Sequence, residues 1–496
     1  MATSLDPRTP VIVGVAQVSR RVDRGEEPLE PVDLIADASR RADADSGGRS
    51  VLAAVESVRV VKMLSWRYRD PGALIAARIG AHPRQSVYST DGGQTPQALL
   101  SRTALDIAAG EVDLALLCGG EAWRTRMAYR REGAHPPWTS QGDDVAQAEA
   151  FGSALDMNHP AEAAQGLLAP VQMYAMFEVA LRAASGRSVA EHRDRLAGLW
   201  SRFSQVAADN PNAWIRTPMS PEEVATPTPT NRYIGYPYTL VMNSNNNVEQ
   251  AAAVLLCSVG RAEALGIPRD RWVFPQAGAE ANDHPYVSNR GDLHSSPAIR
   301  AAGRSLYRMA GLGPDDLGPV DLYSCFPSAV QIAAQELGLG VDRPLTVTGG
   351  MSFAGGPWNN YALHAIATMI DVLRRDPGAL GLCSANGGFT TKHALGLYGT
   401  DPPAHGFVHS IPQPEADAAP RREVAVEHEG PVEIEAYTVM HDREGRRVNG
   451  FVAALLADGR RTWGTIDDAA TLEAMTEEEL CGQAAHRSAG GAVDIR

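Results

Sequence analysis

Two stretches of this chain carry the same features in the same order. The first is Gly92-Gly93-Gln94-Thr95-Pro96, then an amphipathic run to Ala109, Gly110, and the apolar string Leu114-Ala115-Leu116-Leu117-Cys118-Gly119-Gly120. The second is Gly355-Gly356-Pro357, a run to Arg375, Pro377-Gly378, and Leu380-Gly381-Leu382-Cys383, closing on Asn386-Gly387-Gly388. Glycine pairs and prolines mark turns and helix starts, and a short apolar string after a glycine stop is the pattern of a buried strand. Each stretch therefore reads turn, helix, turn, strand, and the repetition predicts a duplicated unit.

What precedes each stretch repeats as well. Val11 to Val18 reads as a buried strand, Val32 to Ala42 as a helix and Val55 to Met63 as a strand; later, Trp272 to Ala279, Ser296 to Met309 (closed by Gly311) and Val320 to Tyr323 follow the same order. Alternating strands and helices predict an α/β fold of two similar βαβ-type halves. The first half takes residues 1–130 and 248–271, and the second takes 272–400. Residues 131–247 are an excursion with its own helices, Gln172 to Ala184 and Val189 to Ala208, and such long excursions often carry binding surfaces. The chain returns from it in Ala251-Ala252-Ala253-Val254-Leu255-Leu256.

Residues 401–420, rich in Pro and Ala, read as a linker, and 421–496 as an additional domain. There, Val432, Ile434 and Ala436 alternate with polar residues, Asp442 to Gly445 is a turn, Val448 to Leu456 a second strand and Asp458-Gly459 another hairpin. With Arg422 to His428 before and Arg461 to Ile466 after, about four antiparallel strands and a helix near Asp468 to Leu480 predict a small β-barrel.

The 496 residues, 44% apolar and 21% charged, suffice for about three packed units of ~150 residues each. Fifty-nine acidic against 45 basic residues leave a charge of −14, which disfavours a nucleic-acid partner. The five cysteines, Cys118, Cys257, Cys325, Cys383 and Cys481, are far apart without Cys-x-x-Cys spacing, so neither a disulfide framework nor a metal site is expected. No apolar stretch approaches the ~20 residues that span a bilayer, and the N-terminus lacks an export pattern, so a cytoplasmic location is expected. Lysine is nearly absent. Only Lys62 and Lys392 occur among the basic residues, which singles out Lys392 beside the last glycine loop.

The order of these motifs over roughly Pro10 to Gly399 resembles the thiolase superfamily, in the branch related to thiolases linked to sterol carrier protein. That branch carries His-Asp-Cys-Phe after a strand of the later half, where this chain has Tyr323-Ser324-Cys325-Phe326. Its Gly-His-Pro corresponds to Gly355-Gly356-Pro357, its last Gly-rich loop to Ala385-Asn386-Gly387-Gly388, and its Asp-Gly-Ala-Ala-Ala run to Glu249-Gln250-Ala251-Ala252-Ala253. The resemblance implies a layered αβαβα thiolase fold, with the C-terminal barrel similar to OB-like proteins that accompany some thiolases. It also implies a dimer formed through the strand near Ser86 to Thr90, with a monomer as the alternative if the added domain covers that surface.

Thiolase chemistry needs a cysteine thiolate, a second group that moves protons and donors for the thioester oxygen. The nucleophile position falls on Gly92, Gly93 or Gln94, none of them cysteine, and the histidine of Gly-His-Pro is replaced by Gly356. Cys325 matches the family's proton-handling cysteine, or is a buried core thiol. Tyr323 replaces a histidine of the oxyanion site, or packs in the core; Asn386 donates there, or caps a turn. His393 is the histidine best placed to poise a water or Cys325, or is structural. Arg124, Arg126, Arg130 and Arg131, interleaved with Trp123 and Tyr129, are candidates for the nucleotide of coenzyme A, or a solvated face.

The expectation is a thiolase-like protein of lipid metabolism that binds coenzyme A or an acyl-CoA as a small-molecule ligand and lacks the standard acyl transfer. No metal or further cofactor is called for. Two alternatives stand beside it. One is an active acetyl-CoA acetyltransferase, acyltransferase or thioesterase using Cys325, with His393. The other is a non-enzymatic interaction module acting through the C-terminal barrel.

Overall fold

A computed structural model describes residues 5–495. The first half forms β1 (Pro10–Ser19), α1 (Pro31–Ser46), β2 (Ser57–Val60), α2 (Pro71–Ile79), β3 (Gln85–Ser89), α3 (Thr95–Ala109), β4 (Leu114–Ala122) and α4 (Trp123–Arg131). After the short strand β5 (Glu149–Phe151), the excursion supplies α5 (Pro170–Ser185) and α6 (Val189–Asp209), and the half closes with β6 (Glu249–Ser258). Its sheet runs β1-β6-β4-β2-β3-β5.

The second half repeats the order with β7 (Phe274–Asn282), α7 (Pro297–Ala310), β8 (Val320–Asp321), α8 (Pro327–Glu336), α9 (Tyr361–Arg375), β9 (Leu380–Gly387) and β10 (Lys392–Gly399). Its sheet runs β8-β9-β10-β7, with β11 (Val408–Ser410) at the edge. Four strands correspond, β1-β6-β4-β2 with β7-β10-β9-β8; β11 is the second sheet's own addition, and that sheet has no counterpart of β3 or β5. One backbone bond, Leu322 to Leu345 at 2.9 Å, stands in that place. The buried Asp321 carboxylate adds to it, accepting from the Val347 amide and the Thr346 and Thr348 hydroxyls at 2.9 to 3.0 Å.

The central helices α3 and α9 lie between the sheets, each touching both, while α1 and α2 cover the first sheet and α7 the second. This is the expected αβαβα layering. Its cause is legible in the burial pattern. In α9, Tyr361, Leu363, Ile366, Met369, Ile370 and Leu373 are all fully buried, as a helix with sheets on both sides requires, whereas α1 keeps Arg40 and Arg41 in solvent. Pro96 sets the start of α3 and Gly110, at φ 77°, its stop.

On the first sheet, β3 has partners on both sides: β2, and β5 in parallel through Val87–Glu149, Tyr88–Ala150 and Ser89–Phe151. The Thr90 amide donates to the Phe151 carbonyl at 2.8 Å. The edge that the resemblance assigned to a dimer contact is thus already paired within the chain.

The C-terminal domain comprises β12 (Gly430–His441), β13 (Arg447–Leu455), β14 (Arg461–Ile466), helix α10 (Ala469–Glu477), β15 (Ala484–Arg487) and β16 (Val493–Ile495). The sheet is antiparallel in the order β14-β13-β12-β15-β16. It curls until Thr465 meets Ala492, giving a barrel-like outline. Two expectations need correction. Arg422 to His428 is not a strand, and its place is taken by β15 and β16, too short for a period to be read. The 401–420 segment is not a free linker: β11 pairs with β7, and a short helix, Gln413–Asp417, packs against α7.

Arg461, fully buried, joins this domain to the second half. Its guanidinium forks onto Glu435 at 2.6 Å and donates to the carbonyls of Val287, Ser288 and Arg290 at 2.7 to 3.0 Å. Arg461→Ala leaves a buried carboxylate and three carbonyls without their donor, so a loss of about 3–5 kcal/mol is expected in denaturant unfolding. Arg461→Lys should recover little of it, because an ammonium cannot reproduce the planar fork.

Candidate functional site

The early turn, Asp91 to Gln94, ends β3 and opens α3, and it faces β9 and β10 of the other half. Asn359, just before α9, ties the halves together here. Its Oδ1 accepts from the Gly92 amide at 3.0 Å, and its Nδ2 donates to the Lys62 carbonyl at 3.1 Å and to Asp91 at 3.4 Å.

The space around the candidate nucleophile positions is already filled. A Cβ on Gly93 would stand 2.2 Å from the Tyr323 hydroxyl and 2.4 Å from the Asn386 carbonyl oxygen. One on Gly92 would meet Gln94 Oε1 at 2.1 Å and Lys392 Nζ at 2.8 Å, and Gly92 sits at φ 149°, where side chains are disfavoured. At Gly356 a Cβ would press on Ser244, Asn246 and Met351 at 3.3 to 3.4 Å, so the Asn243–Asn247 loop occupies the room a histidine ring would need.

Cys325, Tyr323, Asn386 and His393 do converge behind this turn. Tyr323, Asn386 and His393, with Ser384 and Thr390, line a cavity of about 10 Å³. That is the space of one water, not of a thioester. Cys325 Sγ lies 3.9 Å from Asn386 Nδ2, and burial pushes its thiol up to about 12, so it stays protonated at neutral pH. Burial likewise pushes the Tyr323 hydroxyl well up.

The excursion supplies Tyr174, a residue the sequence reading did not select. Its hydroxyl donates to the Gly388 carbonyl at 2.8 Å and accepts from Asn386 Nδ2 and the Thr390 amide at 3.0 Å, and its ring stacks on Phe326. His393, paired across the strands with Asn386 and lining the same cavity, bonds Asp283, with Nε2 at 3.2 Å from the carboxylate. Burial opposes the charge of Asp283, but His393, Arg290 and Ser296 outweigh it and hold the carboxyl below its ordinary value. Beyond Asp283 a cleft of about 540 Å³ opens between α7 and residues 415–420.

The arginine cluster lies on α4. Arg124 and Arg126 are half-buried, Arg126 over the Trp66 ring, while Arg130 and Arg131 are exposed. Trp123 brings this helix to the late glycine turn by packing on Trp358 at 4.7 Å, and Trp358 holds the left-handed backbone at φ 48°. Among the described residues no group of three His, Cys, Asp or Glu side chains could hold a metal ion, and no helix is long and apolar enough to cross a membrane.

A solved structure, that of a monomeric SCP2-thiolase-like protein type 1 from Mycobacterium smegmatis, superposes with a TM-score of 0.84. It shares 32% identity, covering 99% of this chain and 100% of that one. The chain belongs to the SCP2-thiolase-like protein type 1 family. Residues 412–491 match the family described as the thiolase-like protein type 1 additional C-terminal domain. An acetyl-CoA acetyltransferase of Methanothermobacter thermautotrophicus is 26% identical over 326 residues, 61% of this chain and 80% of that relative. The acetyl-CoA acetyltransferase of Syntrophomonas wolfei, at 17% identity and a TM-score of 0.55, covers 79% of this chain and 99% of its own and shares the fold.

In this type 1 thiolase-like chain the packing around Gly93 has a direct consequence. Gly93→Ala should cost about 1–3 kcal/mol in urea unfolding, and less when Tyr323→Ala removes the phenol, with the Asn386 carbonyl keeping the remainder. Cys325 should resist iodoacetamide at pH 8 in the folded protein and react once urea unfolds it, because the thiolate is the reactive form.

Proposed function

We propose that this protein binds coenzyme A or an acyl-CoA thioester and does not perform the two-step acyl transfer of active thiolases. The observation that carries the reading is the filled space at Gly93, where the Tyr323 hydroxyl and the Asn386 main-chain carbonyl stand where a nucleophilic thiol at the start of α3 would begin. Cys325 is a poor substitute, since burial keeps its thiol protonated. The ligand class is supported by relatives named acetyl-CoA acetyltransferase and by the arginine helix α4, whose Trp123 packs at the late glycine turn. Phosphates of coenzyme A would meet Arg124 and Arg126 there, both half-buried and therefore partly pre-ordered. An acyl-CoA ligand places the protein in lipid metabolism, as a carrier or sensor of thioesters.

We infer a monomer as the working state. The β5 segment pairs with β3 and removes the free backbone edge a second copy would need.

Calorimetric titration with coenzyme A, beside an assay of acetoacetyl-CoA cleavage, tests the first proposal. Binding without cleavage is expected, and Arg124→Ala with Arg126→Ala should weaken it on the order of tenfold, about 1.4 kcal/mol. Steady cleavage overturns the reading, and absence of binding removes the ligand assignment. Light scattering should return the mass of one chain across a broad concentration range; a concentration-dependent doubling would contradict the role given to β5.

A further inference from the structure

Nearly every basic residue of this chain is arginine, yet the two lysines it has, Lys62 and Lys392, both come to the Asp91–Gly93 turn. Lys62 does so through its backbone. Its amide donates to Ser89 Oγ at 2.9 Å and its carbonyl accepts from Asn359, while its ammonium lies over the Tyr88 ring at 4.6 Å. Lys392 reaches the turn with its side chain. Nζ donates to the Asp91 carbonyl at 2.6 Å and stands 2.8 Å from the point a Cβ on Gly92 would take. The amine therefore occupies the hollow over the first glycine of the turn.

The surroundings suit a neutral amine. Lys392 is only 4% exposed, and its acceptor is a carbonyl, not a carboxylate. Burial pulls its basicity below the ordinary lysine value, with the Asp91 charge opposing. An arginine at the same place would stay charged, whereas a lysine can give up its proton and expose a lone pair. Above it lies the half-exposed Gln94, whose buried Oε1 has no hydrogen-bond partner and sits 2.1 Å from the same Gly92 point. Gln94 is thus the side chain that must move for a ligand to reach the amine.

We propose that Lys392 is a carbonyl-reactive amine that forms a reversible imine with the oxo group of a small keto or aldehyde ligand, such as the 3-oxo group of an acyl chain, at the Asp91–Gly93 turn. The nitrogen lone pair attacks the carbonyl carbon, the C–N bond forms, and the carbonyl oxygen takes up a proton as the nitrogen loses one. The carbinolamine then expels that oxygen as water, leaving C=N, and water returns the ligand unchanged by the reverse path. A thioester would leave an amide that does not reverse, so an oxo group, not the thioester carbon, is the fitting electrophile. Asp91, exposed on the same turn, is the carboxyl available to carry the proton.

The test uses the full chain, acetaldehyde and cyanoborohydride at pH 7, with peptide mass spectrometry reading ethylation at each lysine. Because the probe contains no coenzyme A, its outcome is separate from that of the thioester titration. Lys392 should be labelled several-fold faster than Lys62 in the folded protein and at the same rate in urea. A folded Lys392→Arg chain, judged by its unchanged melting temperature, should carry its only lysine label at Lys62, the α-amino group serving as an internal reference. Equal or slower labelling of Lys392 in the folded state overturns the proposal.

Discussion

The volume above Gly93 can be filled once. In this protein it is filled from the second half, by the Tyr323 hydroxyl and the Asn386 carbonyl, each nearer than 2.5 Å to where a Cβ would begin. Because protein interiors are packed to crystal density, a contact of this kind fixes several elements together. The start of α3, the end of β9 and the segment after β8 must keep their mutual distance for the phenol to fit. Asn359 adds direction to the contact by bonding the Gly92 amide and the Lys62 carbonyl at once. The two halves therefore meet through the Tyr323 and Asn359 side chains and the Asn386 carbonyl of the later half, lodged against bare backbone of the earlier one.

The excursion and the C-terminal domain tighten the same region from behind. Tyr174 gathers Asn386, Gly388 and Thr390 onto one hydroxyl, and four residues along α5 the buried Glu178 accepts from Gln331 and Tyr238 and bonds His192. Arg182, further along the same helix, forks onto Glu479 at 2.9 Å and bonds Tyr437. One helix thus reads out to the cavity wall at one end and to the added domain at the other. The cavity left between Tyr323 and His393 is water-sized because all its walls are held.

The duplicated unit was legible because its signals are local: glycine turns, prolines at helix starts and apolar strings of strand length survive in one sequence without any partner. The paired β-strands and central helices fall where those signals put them. Short elements were not legible. Val408–Ser410, Ala484–Arg487 and Val493–Ile495 are strands only because a neighbouring strand offers hydrogen bonds, and three or four residues carry no period of their own. At the site, Tyr323, Cys325, Asn386 and His393 were legible as one group, whereas the partner of His393, Asp283, lies 110 residues away in the chain and carried no signal. Tyr174 carried no signal beyond an apolar helix. Lys392 carried only its rarity, and the Asn-rich run Asn243–Asn247 is the one cue to the loop that fills the space beside Gly356.

The unpaired polar atoms are concentrated at the glycine turns. Of the eleven buried side-chain atoms without a hydrogen-bond partner among the described residues, six belong to Gln94, Gln250, Trp358, Asn360, Asn386 and Thr390, all at or beside the two glycine turns. Each costs about 1–3 kcal/mol relative to a satisfied or apolar neighbour. Strain collects there too, in the φ of Gly92 and Trp358. A region retained only for packing is more stable with apolar groups in such places, and the strand alongside, Ala251 to Cys257, is continuous, buried and apolar. Polar groups are held at this cost next to the chain's one side-chain amine lodged at the turn, and a ligand with matching donors and acceptors would relieve it.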